Sequence, residues 1–335
     1  MNIIHFPNLN IGPMVIDPVA FSIFGRDIAW YGIIITFGIF CAVAYVMYRA
    51  KKEKLREDDV YDYALFTVIV GIICARLYYV IFDPTPNYKN IIDVFAIWNG
   101  GLAIYGGIIG GALTVLAVSR VKKIYFLRVA DMAAPAVMIA QSMGRWGNFM
   151  NGEAYGSVEK FDFFFFGFDI SGLMDKFPLL MNVGGIDAQP TFLYESVWNL
   201  IGFLLLVFFV DRFKKFAGMT MLSYFAWYGF GRMFIEGLRT DSLYIPGSDT
   251  MRVSQLIAFM TFAVSVALII VLSIKSKAHP YNINDSVYYG KKTLKIEDNA
   301  SETDAESEQG IASDVTEIQD TTLDTDSDKN EGDAE

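Results

Sequence analysis

Residues 144–156 of the chain read Gly-Arg-Trp-Gly-Asn-Phe-Met-Asn-Gly-Glu-Ala-Tyr-Gly, which places Arg145, Asn148, Asn151 and Glu153 among four glycines within thirteen positions. A guanidinium matches phosphate or carboxylate oxygens through a planar fork of donors. Amides hold hydroxyls or backbone, and a carboxylate beside an arginine either orients it or takes a proton. Glycine permits positive φ and close approach of backbone to a ligand. The stretch ends an apolar run, and non-helical backbone at membrane depth is tolerated only where protein or a wet cavity satisfies it. It reads as a broken helix end lining a polar pocket that could hold an anion.

Other ionisable residues also lie in apolar runs, where each costs about 3 kcal/mol or more near the bilayer centre and marks a pocket or pathway by default. Arg76, Asp131, Glu195, Arg232 and Glu236 qualify. Arg232 and Glu236 are four apart and share a helix face with Tyr228, one turn earlier. A bundle salt bridge and a substrate contact are both open for that pair. Arg76 reads equally as a side chain snorkelling to the boundary, and Asp131 as a cap or partner for a basic loop. Trp30, Tyr31, Trp98 and Trp227 suit aromatic belts, and for most of them that is the preferred reading. A second glycine cluster, residues 99–111, opens another apolar run, and at Gly110 and Gly111 close helix packing through small residues is expected.

The elements that must position these residues are membrane helices. The chain is 53% hydrophobic and 19% charged with mean hydropathy +0.36, where a soluble chain carries about 25% charge. Runs near the ~20 residues needed to cross hydrocarbon occur at about 28–48, 60–82, 100–119, 129–146, 191–210, 218–237 and 253–274. They define an all-α integral membrane protein of about seven spans. The first run lacks the charged start and cleavage site of a secretory signal and is read as a retained span. Basic clusters follow spans one, three, five and seven, beginning at Arg49, Arg120, Arg212 and Lys275. Such loops collect in the cytoplasm, so the N-terminus is outside and the C-terminus cytoplasmic.

Residues 151–189 form a long outer loop, of a length that is commonly functional or disordered. Its phenylalanine run, 161–168, suits either the lipid interface or a hairpin packed on the bundle. The net charge of −10 is misleading, because residues 297–335 hold fifteen acids against Lys329 alone. Residues 291–335 read as an acidic, disordered cytoplasmic tail. Residues 1–290 remain as one membrane domain whose net positive charge suits anionic lipid. Cys41 and Cys74 both lie in apolar runs, so neither a disulfide framework nor a cysteine-rich metal site is available.

Residues 144–156 resemble, at every fixed position, the signature GRxGNFxNGExxG of the bacterial prolipoprotein diacylglyceryl transferases. Supporting likenesses are Trp30-Tyr31-Gly32, the Gly-Gly-Leu-x-x-x-Gly-Gly block from Gly100, the block from Gln189 to Glu195, and the Tyr228, Arg232, Glu236 and Arg239 spacing. Most of residues 21–274 is covered. The resemblance implies transfer of the diacylglyceryl group of phosphatidylglycerol to the lipobox cysteine of a prolipoprotein signal peptide, giving a thioether and glycerol phosphate. It implies the bacterial cell membrane, an active site towards the outer leaflet, and no cofactor, metal or nucleic-acid partner. Arg145, Glu153, Arg239 and Tyr105 become the catalytic candidates. Arg145, Asn148, Asn151, Gly156, Tyr31, Tyr228, Arg232 and Glu236 become the candidates for holding phosphatidylglycerol.

Many similar members carry histidine where this sequence has Tyr105, and that histidine is an obvious base. Here the histidines are His5 and His279, both remote from the block. Glu153 is left open as base or orienter, and preorganised charge acting on thiolate and leaving phosphate is the favoured source of catalysis. A carrier of anionic lipid would use similar charges, but no inverted repeat is visible. A lipid-binding scaffold would have no need of Glu153 beside the arginines.

Overall fold

The computed structural model describes residues 1–289 apart from 84–87, 89, 98–99, 175–176, 241–243, 246, 248–250, 277–280 and 283–284. Trp98, Asn99, Lys89, Lys176, Lys277, His279 and the tail 291–335 therefore lie outside the described residues. The long helices are α1 (Trp30–Lys52), α2 (Glu57–Phe82), α4 (Ile104–Lys122), α5 (Phe126–Asn151), α7 (Thr191–Leu205), α8 (Met219–Leu238) and α9 (Val253–Lys275); α3 (Ile91–Phe95) and α6 (Ser171–Met174) are short. A single π-helical turn, Leu206–Val210, prolongs α7.

Five helices, α1, α2, α4, α7 with its π turn, and α9, are long and apolar enough to cross a membrane. Their outward faces are aliphatic and exposed, as with Ile257, Met260, Val264 and Ile270 on α9; such a surface calls for lipid around it. The other two long helices fall short on composition and not on length. α5 carries Arg128, Asp131, Gln141, Arg145, Asn148 and Asn151, while α8 is rich in glycine and tyrosine and carries Arg232 and Glu236. Their polar faces turn to other helices: α5 packs on α1, α7 and α8, and α8 packs on α9, while Val137 on α5 and Phe230 on α8 stay exposed.

Glycines set the closest helix approach, between α2 and α4. A Cβ at Gly106 would lie 2.3 Å from the Cys74 carbonyl, and one at Gly110 would lie 2.5 Å from Cys74 Cβ. Gly110 is thus the packing glycine that the sequence suggests, whereas Gly111 has room for a Cβ at ordinary contact distance. Arg76, near the end of α2, does not snorkel. It is buried and donates to the carbonyls of Asp93, Val94, Gly100 and Gly101, so it organises the connection from α2 to α4.

The all-α expectation needs correction at one end of the bundle, where eight short strands form β1 (Asn2–Phe6), β2 (Ile11–Ile16), β3 (Val19–Ile23), β4 (Arg26–Ala29), β5 (Lys160–Phe163), β6 (Phe166–Asp169), β7 (Met181–Val183) and β8 (Ile186–Ala188). A four-stranded sheet has the order β2-β1-β7-β8, and β3-β4 and β5-β6 are separate hairpins. Ile4, Met181, Ala188 and Phe192 make a small core beneath the sheet, with Phe149 and Tyr155 against it. The sheet therefore sits on the ends of α5 and α7.

The phenylalanine run forms the β5-β6 hairpin, and it packs on the bundle: Phe163 stacks on Phe234 at 5.1 Å and Phe164 meets Phe259 edge-on at 5.6 Å. Phe165 and Phe166 stay exposed at its tip. Buried Arg252 ties the hairpin to the end of α8, donating to Asp162 at 2.8 Å and to the carbonyls of Glu236 and Arg239.

The opposite end is held by buried charge. Arg49 pairs with Asp211, Arg128 pairs with Glu53, and the Tyr281 hydroxyl donates to Glu53 at 2.8 Å. Asp131 accepts from the Gly218 and Met221 N–H groups at 2.7 and 2.9 Å and pairs with Lys214, so it caps α8. Residues Met1–Val287 make one compact unit; a second begins at Tyr288, of which Tyr288 and Tyr289 are described.

Candidate active site

α5 ends where its sequence stops supporting a helix. Gly152 takes the left-handed conformation at φ 64° and its N–H bonds the Phe149 carbonyl, a C-terminal cap that favours glycine. Strand β1 lies against this glycine, with Asn2 Nδ2 donating to the Met150 carbonyl at 3.2 Å. Two residues on, Ala154 is also left-handed at φ 57°, a conformation that costs a non-glycine residue about 1–2 kcal/mol. Thr191 Oγ1 holds the Ala154 carbonyl at 2.6 Å. Gly156 then pairs through its backbone with Gln189 on one side and Arg239 on the other, and a Cβ there would meet Thr191 at 2.7 Å. The chain after Arg145 is thereby bound to the start of α7 and the end of α8.

Within this frame the charges converge on one carboxylate. Glu195, in the first turns of α7, accepts from Arg145 on one oxygen and from Arg232 Nη1 at 3.0 Å on the other. Arg232 also pairs with Glu236 one turn along α8. Three helices are thus joined by four ionic groups with no net charge. Arg145 and Arg232 remain about a fifth exposed, while the two glutamates are buried. Arg145 Nη1 makes a long bond of 3.4 Å to Asn148 Oδ1, and Asn148 and Asn151 each donate to Glu153 Oε1 at 3.1 Å. Glu153 is exposed and reaches Arg145 through Asn148.

Aromatic residues close the sides. The Tyr31 ring, from the first turn of α1, covers Gly147, where a Cβ would lie 2.6 Å from it. Tyr228 stacks with Tyr224 at 6.0 Å, within electrostatic reach of Glu195, Arg232 and Arg145. Gln141 donates to the Tyr224 hydroxyl at 3.1 Å. The structure therefore gathers Arg145, Asn148, Asn151, Glu153, Gly156, Tyr31, Tyr228, Arg232 and Glu236, and brings the Arg239 backbone to Gly156.

Tyr105 is different. It sits half exposed in the first turn of α4 with its ring 6.4 Å from Tyr78, and no described hydrogen bond or ion pair joins it to the arginine network. His5 stays in β1, opposite Asn182. Glu195 is the residue that the sequence reading noticed as an expensive intramembrane charge without placing it in the site. Its signal was that cost and its place in the block beginning at Gln189. Trp227 also departs from its expected place in an aromatic belt, since it lies mid-helix and stacks on Trp198 at 4.1 Å.

The apolar helices, the polar pair α5 and α8, and a largely buried network of paired arginines and carboxylates define a multi-pass membrane protein. The family model for prolipoprotein diacylglyceryl transferase matches residues 18–271, and the chain belongs to that family. It is 41% identical over 286 residues to the phosphatidylglycerol–prolipoprotein diacylglyceryl transferase of Listeria welshimeri, covering 85% of this chain and 99% of that protein. The protein of the same name from Enterococcus faecalis is 44% identical over 258 residues, covering 76% and 90%. The one from Streptococcus pneumoniae is 43% identical over 273 residues, covering 81% and 99%.

Proposed function

We propose that this chain transfers the diacylglyceryl group of phosphatidylglycerol to the lipobox cysteine thiol of a prolipoprotein signal peptide, the first step of lipoprotein maturation. The sulfur forms a bond to the glycerol carbon that carries the phosphate ester, and the carbon–oxygen bond breaks. The oxygen keeps the electron pair and leaves as glycerol 1-phosphate. The thiol proton passes to a base or to water. The observation that carries this reading is the joining of Arg145 and Arg232 from two helices through Glu195, with the Asn148, Asn151 and Glu153 cluster one turn away.

A guanidinium has five N–H donors, so a carboxylate that holds each arginine leaves donors for phosphate oxygens. Arg145 and Arg232 grip the leaving phosphate, and Arg239 approaches it from the end of α8. The amides and Tyr31 and Tyr228 hold the headgroup and its backbone surroundings. A cysteine thiol has a pKa of about 8.5, and charge-assisted hydrogen bonds from the guanidinium groups are proposed to favour its thiolate. Glu153, held by two amides, orients this arrangement or accepts the thiol proton.

The same reading takes α5 and α8 as the fourth and sixth of seven spans, since each is long enough to cross hydrocarbon and the other helices shield its polar face. By the alternation of basic loops, the N-terminus and the sheet lie on the outer side of the bacterial cell membrane, the arginine network lies towards its outer leaflet, and the tail 291–335 lies inside. The exposed Phe165 and Phe166 of the β5-β6 tip rest on the outer lipid surface. Purified chain in phosphatidylglycerol vesicles should move labelled diacylglyceryl to a lipobox peptide, and Arg145→Ala should lower that rate by about 10²-fold or more while inserting normally. Transfer by Arg145→Ala at the wild-type rate would remove Arg145 from the site.

A further inference from the structure

One turn below the ionic bridge, α7 and α8 are joined by two tryptophans that repeat each other's contacts. Trp198 Nε1 donates to the Trp227 carbonyl at 3.1 Å, and Trp227 Nε1 donates to the Trp198 carbonyl at 3.0 Å. The rings stack at 4.1 Å with 11° between their planes. Each tryptophan precedes a glycine by four residues, Gly202 on α7 and Gly231 on α8, and each ring lies over the partner helix's glycine. A Cβ at Gly231 would lie 2.1 Å from Trp198 Nε1, and one at Gly202 would lie 2.4 Å from the Trp227 ring. The four positions form a local two-fold clasp between antiparallel helices, built on the same Trp-x-x-x-Gly spacing twice.

We infer that Trp198 and Trp227 are positioning residues, which set the rotation and height of α8 against α7 so that Arg232 meets Glu195. Glu195 lies three residues before Trp198, a rise of about 4.5 Å. Arg232 directly follows Gly231, over which the Trp198 ring rests. Any slide of one helix along the other breaks both indole hydrogen bonds together, because each bond fixes one helix against the other's backbone. The bonds use a second lone pair on carbonyls of the helix ladder, so the clasp leaves the helices regular. Stacked rings over bare glycine leave no slack for a rotation that would turn Arg232 away. Through Glu195 the same register fixes Arg145. The inference rests on the reading of Arg145 and Arg232 as the phosphate grip.

The test is a double-mutant cycle on full-length chain in nanodiscs containing phosphatidylglycerol. Trp198→Phe and Trp227→Phe keep an aromatic ring and lose the indole N–H; each is combined with Glu195→Gln. Each single variant should raise KM for phosphatidylglycerol by about ten-fold, the size of a typical contact coupling, with the melting temperature close to wild type. Each double variant should be no worse than Glu195→Gln alone, since the bridge being positioned is already gone. Losses that multiply in the double variants, or wild-type kinetics in both tryptophan variants, would overturn the inference. So would failure of both tryptophan variants to fold, which would make the clasp a stability element. Binding of labelled phosphatidylglycerol is read in the same cycle. A wild-type chain that binds without transferring would sink the proposed reaction, and the clasp would still be judged on binding.

Discussion

In the role proposed for Arg145 as a phosphate ligand, Glu195 fixes the guanidinium through Nη2 and takes only part of its five N–H donors. A free arginine on a helix end samples many rotamers, and ordering it costs entropy each time substrate arrives; a carboxylate that orders it beforehand removes that cost from binding. The place of Arg145 at the end of an apolar run and its glycine-rich surroundings were legible in the sequence. The convergence of Arg145 and Arg232 on Glu195 was not, since it joins residues fifty and thirty-seven positions apart on separate helices. Tyr105 belongs at this scale too. Among the described residues no hydrogen bond or ion pair joins it to the arginine network, so its hydroxyl is poorly placed to act as a base. Tyr105→Phe should therefore retain most of the transfer rate, measured with labelled phosphatidylglycerol; complete loss would give the hydroxyl a chemical role. Glu153→Gln separates the two readings of that carboxylate. An orienter keeps its amide-held position and loses a modest factor, whereas a base loses turnover at every pH.

Between elements, the packing is decided by where glycine lets backbones touch. Gly106 and Gly110 of α4 rest on Cys74 of α2; of the two glycines for which small-residue spacing suggests close packing, Gly110 makes it and Gly111 does not. Gly110→Val should force the helices apart and cost about 1–3 kcal/mol, as overpacking generally does. The expected readout is a lower unfolding temperature in detergent, with KM for phosphatidylglycerol little changed. The strands were harder to see. Each has three to six residues, too few for an alternation to stand out beside apolar runs of 20 and more. Their core also draws on Phe149 and Phe192, which belong to helices. The clasp likewise escapes a linear reading, because Trp198 and Trp227 each look like a lone aromatic until α7 and α8 are side by side.

At the scale of the molecule, the bundle is pinned at both ends by buried charge. Burial alone would raise the Glu53 carboxyl, but the Tyr281 hydroxyl, Arg128 and Lys214 outweigh it and hold the group below its ordinary value. A depressed carboxylate contributes stability that is present above its unfolded pKa, about 4.3, and is lost as pH falls through the lower folded value. The gap in melting temperature between wild type and Glu53→Gln should thus be widest near neutral pH and shrink in acid. A gap that widens in acid would show that Glu53 is held in its neutral form. The tail makes a contrasting prediction. Its fifteen acids over residues 297–335 are a composition expected to bury too little apolar surface to fold, so truncation after Lys295 should leave transfer in vesicles unchanged; a large fall would give it a regulatory part.

By itself the sequence determined the membrane class, the apolar helices and the segment 144–156, because hydropathy, glycine and charge cost act locally along the chain. It also carried the family, through motif blocks whose residues are close in sequence. Only the tertiary structure decided that the charges of α5 and α8 meet through α7, that Glu195 is the hub and that Tyr105 stands apart. Those outcomes depend on which helix faces meet, and that is set by packing across long sequence separations, where no local pattern reaches.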